Sequence, residues 1–305
     1  MADPDILHSL QDHSSSNPGS FDEIGGLTIH FWGVRGSIPT PGADTVRYGG
    51  NTACVEILVA GRRLIFDGGT GLRVLGKHLL QTAADVNAHI FFTHTHWDRI
   101  QGFPFFLPAF QPDNTFSVYG ATALNGASIK QQLSEQMLQP NFFTPLQQMQ
   151  AALEFKHISA GSVIQLDTVL IETIGLNQQT NALGYRVTWN DLSVVYATDT
   201  DHSQGTADAN LQYLAADADV LIIDGTYIDH QYHDSFCQDA AAWQPSVDLA
   251  ASANVKKLIM FHHNPCHSDD RLDQLEVEIR DHFPTARLAR EGMIVHLGSG
   301  KENPA

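Results

Sequence analysis

Apolar residues along the chain fall into short runs rich in β-branched and aromatic side chains. In the first half these are Leu27–Phe31, Cys54–Val59, Arg63–Phe66, His89–Thr93 and Phe116–Tyr119. In the second half they are Val169–Ile174, Tyr185–Trp189, Val194–Ala197, Val220–Ile223, Leu258–Phe261 and Met293–Leu297. Gly, Asp or Asn bound most of them, so each predicts a strand. Helical spacing appears around Leu72–Leu80, Ala123–Met137, Ser246–Ala253 and Arg271–His282, the last opened by Asp269 and Asp270, which suit a helix N-terminus. Early strands follow one another as in hairpins, whereas later ones alternate with helices. Two packed sheets covered by helices satisfy both patterns.

Residues 1–25 are rich in Ser, Asp, Asn and Gly and show no periodicity, and 299–305 are similar. The expected organisation is a flexible arm over 1–25, a single domain over 26–298 and a flexible tail over 299–305. No repeat at solenoid spacing and no long linker interrupts the middle.

Charge narrows the function. Lys and Arg number 17 against 34 Asp and Glu, a net charge of −17, which disfavours nucleic acid, whose binding is driven by cationic side chains releasing counterions. No apolar run reaches the roughly 18–20 residues of a membrane helix. The N-terminal residues lack the basic and apolar regions of a secretory signal. Three widely spaced cysteines, Cys54, Cys237 and Cys266, argue against a disulfide framework and suit a reducing cytoplasm. The 16 histidines turn attention to metal, because neutral imidazole is the commonest metal ligand.

The segment Phe92-Thr93-His94-Thr95-His96-Trp97-Asp98-Arg99 ends a strand-like run with three donor side chains at alternate positions. Residues two apart on an extended chain point the same way, so His94, His96 and Asp98 can converge. Other strand ends carry Asp67, Asp199 and the pair His262-His263. Taken alone, Asp67 before Gly68-Gly69 reads as a turn former, and His263 reads as structural support beside His262.

These blocks resemble the metallo-β-lactamase superfamily. Gly33-Val34-Arg35-Gly36-Ser37, Arg47-Tyr48-Gly49-Gly50-Asn51-Thr52, Phe66-Asp67-Gly68-Gly69-Thr70-Gly71, Gln101-Gly102-Phe103-Pro104-Phe105-Phe106 and His262–Asp270 are similar to its ribonuclease Z and cyclic-phosphodiesterase branch. The resemblance implies an α/β (α+β) fold, an αββα sandwich of two mixed sheets covered by helices. It also implies one or two divalent ions, zinc first, with manganese or iron as alternatives. One ion would use His94, His96, position 178 and Asp199; the other Asp98, position 99, Asp199 and His262. Asp67, His263, His267 and Gln178 would stand behind these ligands, and Asp98 would orient the attacking water.

Three positions depart from that pattern. Arg99, Gln178 and Ala240 stand where the family has histidines. A glutamine amide is a poorer zinc partner than imidazole, and a guanidinium has no lone pair to offer. Some zinc β-lactamases also carry Arg after the Asp, together with a Cys ligand that has no counterpart here. Arg99 could therefore pair with Asp98 or Asp199 in place of a second cation. Arg35, Arg47, Arg73 and Arg99, if they face the cleft, favour an anionic ligand, with Asn51 beside them; each could equally be paired with surface acids. Phe103–Phe110 and Phe142-Phe143 read as core rather than pocket wall.

The leading expectation is a hydrolase with a weakened metal site, cleaving a small phosphodiester such as a cyclic nucleotide or cyclic sugar phosphate through a metal-bound hydroxide. The alternative is a metal-poor pseudoenzyme binding a small anion or a protein. A third is another chemistry on the same fold, such as lactone, thioester or β-lactam hydrolysis. The expected partner is a small anionic ligand in the cytoplasm, with no nucleic acid or membrane, and a homodimer is compatible with the sequence.

Overall fold

The computed structural model describes residues 26–200, 209–224 and 243–298. The expected arm and tail, and Ala240, lie outside the described residues.

Strand period decides the layers. Alternate side chains of one strand face opposite ways, and here both faces are apolar. On β4 (Asn87–Phe91), Phe91 joins one core and Ala88 and Ile90 another. On β12 (Lys257–Phe261), Ile259 and Phe261 face that first core while Leu258 and Met260 face a third. The first core lies between two sheets, and each of the others lies under helices. This is the αββα sandwich that the resemblance implied.

Sheet one contains β1 (Gly26–Gly33), β2 (Cys54–Val59), β3 (Arg62–Phe66), β4, β5 (Thr115–Gly120), β6 (Ala152–His157) and the late strand β14 (Ile294–Gly298). Its order is β14-β1-β2-β3-β4-β5-β6. Sheet two contains β7 (Val163–Leu166), β8 (Val169–Asn177), β9 (Ala182–Trp189), β10 (Leu192–Ala197), β11 (Val220–Asp224), β12 and β13 (Arg287–Leu288), in order β13-β12-β11-β10-β9-β8-β7. Each sheet has an antiparallel half and a parallel half. Strands β1 to β3 and β7 to β10 are antiparallel; β3 to β6 and β10 to β13 are parallel.

Parallel neighbours need crossovers, and helices supply them. Helix α1 (Thr70–Thr82) joins β3 to β4, the short α2 (Trp97–Ile100) follows β4, and α3 (Ile129–Glu135) lies between β5 and β6. In the second half α4 (Ala209–Ala215), α5 (Gln244–Ser252) and α6 (Asp269–His282) lie between successive parallel strands. In consequence the C-terminal ends of β3, β4, β10, β11 and β12 open at one edge of the sandwich.

The structure differs from the sequence reading at four places. The helix expected from Ala123 begins only at Ile129, because Ser128 and Gln131 form a reciprocal capping box there. Strands β6, β7 and β13 were not expected; the first two lie at the edge of their sheets with half-exposed faces, and β13 has only two residues. Phe103 and Phe106 are core, as read, but Phe105 and Phe143 are exposed. Cys54 is free and buried, whereas Cys266 is disulfide-bonded, so an odd cysteine count did not exclude a bridge.

Candidate metal centre

Two loops at the sandwich edge are fastened to each other before any functional side chain is considered. The Gly68 N–H donates to the Arg99 carbonyl (2.6 Å) and the Gly102 N–H to the Gly68 carbonyl (2.9 Å). A Cβ on Gly102 would fall 1.8 Å from the Gly69 carbonyl oxygen, so this approach requires glycine. The 67–71 and 98–102 segments therefore form one rigid floor.

Three side chains meet on that floor. The ligand atoms of His94, His96 and Asp199 all lie within 4.8 Å of one another. The two imidazoles are nearly perpendicular at 4.4 Å between centroids, and His94 Nε2 is 3.9 Å from Asp199 Oδ2. No other trio of His, Cys, Asp and Glu atoms is as close among the described residues. Zinc bonds of about 2.0–2.2 Å place tetrahedral ligand atoms roughly 3.5 Å apart, so closing on an ion needs shifts of about an ångström. Two imidazoles and a carboxylate are a donor set suited to zinc or manganese. Burial lowers the His94 pKa, keeping the ring neutral and able to coordinate. Burial alone would raise the Asp199 carboxyl, but His94 and the Thr180 hydroxyl, which donates to Oδ2, hold it below the usual range.

Behind His94 runs a relay. Asp67, fully buried, accepts the Thr93 backbone N–H (2.8 Å) and the Thr93 hydroxyl (3.0 Å), and that hydroxyl lies 3.0 Å from His94 Nδ1. A hydroxyl donating to Asp67 can accept from Nδ1–H, which leaves the Nε2 lone pair facing Asp199. Such support fixes the tautomer of a metal-binding histidine. Asp67 thus stands behind His94, with Thr93 between them.

The second cluster is different. Asp98 Oδ2 lies 2.9 Å from His262 Nε2 and accepts the Ser37 N–H (3.2 Å). The other nitrogen of His262, Nδ1, is 3.8 Å from Asp224 Oδ1. Between these groups sits Arg99, 1% exposed, with Nη1 3.1 Å from Asp67 Oδ2 and 3.4 Å from the Tyr196 hydroxyl. Its Nε is 3.6 Å from Asp98 Oδ2 and its Nη2 3.9 Å from Asp224 Oδ1. Burial disfavours the Arg99 charge, but Asp67 and Asp98 outweigh it and raise its pKa. Burial raises Asp98 too, yet the His262 hydrogen bond and Arg99 hold it well below the carboxylate range. Burial pushes Asp224 up to about 6 and also raises Asp67, against the pull of Arg99.

The expected residues therefore divide. His94, His96 and Asp199 converge; Asp98 and His262 pair beside them, but Asp199 does not complete a trio with that pair. Arg99 pairs with Asp98 as expected, and with Asp67 and Asp224 rather than Asp199. Gln178 is exposed on the β8–β9 turn. Arg35 and Arg47 do not face a cleft, which corrects that expectation. Arg35, fully buried, donates to the carbonyls of Gly49 and His267 (both 2.8 Å) and pairs with Asp269. Arg47 is half exposed and pairs with Asp270 and Asp273. Asn51 is likewise structural, its backbone and side-chain N–H groups both going to Glu291. Arg73 is exposed on α1. His263 bonds the Ala289 carbonyl (2.7 Å), and burial lowers its pKa to about 3. His267 is buried in the loop after β12, and its carbonyl serves Arg35.

Asp224, Thr93, Thr180 and Tyr196 went unpredicted. Asp224 had a signal: like Asp67 and Asp199 it is an acid closing an apolar strand. Asp67, Asp199 and His262 adopt φ near +60° (60°, 61° and 57°), a conformation they share with turn residues such as Asp167, Asn190 and Asp217.

Comparison with known proteins places this geometry. Residues 62–263 match the family described as the beta-lactamase superfamily domain. A ribonuclease Z from Crocosphaera subtropica is 34% identical over 103 residues, 33% of this chain and 31% of that protein, so the match spans about a third of the relative's length. Among solved structures, the metallo-beta-lactamase fold protein YhfI from Bacillus subtilis aligns with TM-score 0.62 at 17% identity, covering 89% of this chain and 99% of that one. A diphosphatase from the PhnP family aligns with TM-score 0.63 at 16% identity, covering 89% and 98%. At these identities the structural likeness speaks for the fold.

Proposed function

The chain belongs to the metallo-β-lactamase superfamily, and from that premise we propose that it is a metal-dependent hydrolase of a small phosphodiester. The observation that carries this reading is the convergence of His94, His96 and Asp199 within 4.8 Å at the ends of strands from both sheets. A divalent ion bound there supplies an acidified water and polarises a phosphoryl oxygen. The chain does the rest. Thr93 and Asp67 keep the His94 tautomer, Asp98 stays ionised beside His262 and would orient the attacking water, and buried Arg99 offsets the local negative charge. The similarity to a ribonuclease Z over 103 residues supports phosphoester chemistry, while the net charge of −17 favours a small substrate over a polynucleotide.

The test is hydrolysis of bis-p-nitrophenyl phosphate by protein loaded with zinc, manganese or iron(II). Activity that chelation abolishes and His96→Ala removes supports the proposal; inactivity with all three metals contradicts it. A second reading, a pseudoenzyme that binds an anion or a partner protein, is favoured by one observation: Gln178 is exposed instead of reaching the trio. Specific binding of a cyclic phosphodiester without turnover would support it.

A further inference from the structure

We propose that Arg99 is a built-in cation that permanently fills the second ion position, so the centre accepts a single divalent ion. The inference rests on the metal reading above. Asp67, Asp98 and Asp224 flank one buried guanidinium, with His262 between the last two, and carboxylates and imidazole are the donor types that suit a divalent cation. Here the cation is already present. The Arg99 guanidinium lies 3.1 Å from Asp67, 3.6 Å from Asp98 and 3.9 Å from Asp224.

Three features oppose a second ion. His262 directs Nε2 at Asp98 (2.9 Å) and Nδ1 toward Asp224 (3.8 Å), so its two nitrogens serve opposite carboxylates instead of one shared centre. An ion bridging Asp98 and His262 would lie close to a guanidinium that is 1% exposed, where burial strengthens the repulsion. Arginine also cannot leave by losing its proton. Among the described residues, Arg99 Nε and Nη2 and Asp224 Oδ1 form no direct hydrogen bond. The guanidinium therefore balances the charge of Asp98 and Asp224 across a short gap (3.6 and 3.9 Å) without fixing them by contact. Arg99 is a positioning residue, acting through Asp98 and His262.

Zinc titration of chelator-treated protein by calorimetry, with thermal unfolding at each addition, tests this. Wild type should bind one equivalent, its unfolding temperature rising no further after the first. Arg99→His should gain one equivalent; its metal-free form should unfold several degrees lower than wild type and recover only when the added site fills. Arg99→Lys, which keeps a cation, should stay at the wild-type count and is the control if the histidine variant folds poorly. Two equivalents in wild type, or an unchanged count in folded Arg99→His, overturns the inference. Wild type at zero with Arg99→His at one contradicts the proposed function while upholding Arg99 as the filler.

Discussion

Arg99 and Asp67 form an ion pair with Nη1 3.1 Å from Oδ2, and neither side chain is more than 1% exposed. Asp67 also receives the Tyr196 hydroxyl (2.9 Å) and both donors of Thr93. One carboxylate thus joins the relay behind His94 to the charge beside Asp98.

Removing one partner of such a pair leaves a buried charge uncompensated, which typically costs about 3–5 kcal/mol. Asp67→Ala should lose that much stability, read from the urea midpoint. Arg47→Ala, which breaks half-exposed pairs with Asp270 and Asp273, should leave the midpoint nearly unchanged. Equal effects of the two variants would contradict the description of the buried network.

Thr93→Val keeps the shape of the side chain and deletes the hydroxyl between Asp67 and His94. Loss of support behind a ligand commonly weakens metal binding roughly 10–100-fold. Calorimetric titration should show that loss with the stoichiometry intact. Unchanged affinity would mean the His94 tautomer is set by something else.

Gly36 packs against His262 so closely that a Cβ would lie 2.7–2.9 Å from three ring atoms. Gly36→Ala should displace the imidazole, shift its proton resonances and cost about 1–3 kcal/mol, the usual range for overpacking. A variant with native stability and unshifted resonances would contradict this packing.

Burial, with His78 and Arg63, lowers the His30 pKa to about 4; burial, with Arg62 and Lys156, does the same for His89. Below the ordinary value of 6.5, unfolded chains bind these protons and folded chains do not. Stability contributed by each ring is therefore present above pH 6.5 and lost as pH falls toward 4, at up to about 1.4 kcal/mol per unit. Urea midpoints of wild type and His89→Gln between pH 7 and 4.5 isolate one group; the variant's slope should be flatter. Parallel slopes would refute the assignment.

Much of this site was legible because strand ends can be read locally. An apolar run closing in Asp or His, as at Asp67, Asp199 and His262, announces a donor at a sheet edge whatever the partner sheet does. The direction of a long side chain cannot be read that way. Arg35 and Arg47 sit in the same blocks as the site, yet Asp269, Asp270 and Asp273 of α6, more than 200 residues away in sequence, draw them off. Asp224 closes its strand just as Asp67 does, but its value lies in facing His262 and Arg99, a relation set by the parallel order of β11 and β12.

The most direct test of the central claim is metal content after dialysis against excess zinc or manganese and then metal-free buffer, for wild type beside His94→Ala and Asp199→Ala. Wild type should retain close to one ion per chain, and both variants less than about a tenth of that, given the steep loss on removing a ligand from a three-residue set. Metal-free wild type, or variants that keep their ion, would contradict a centre built on His94, His96 and Asp199.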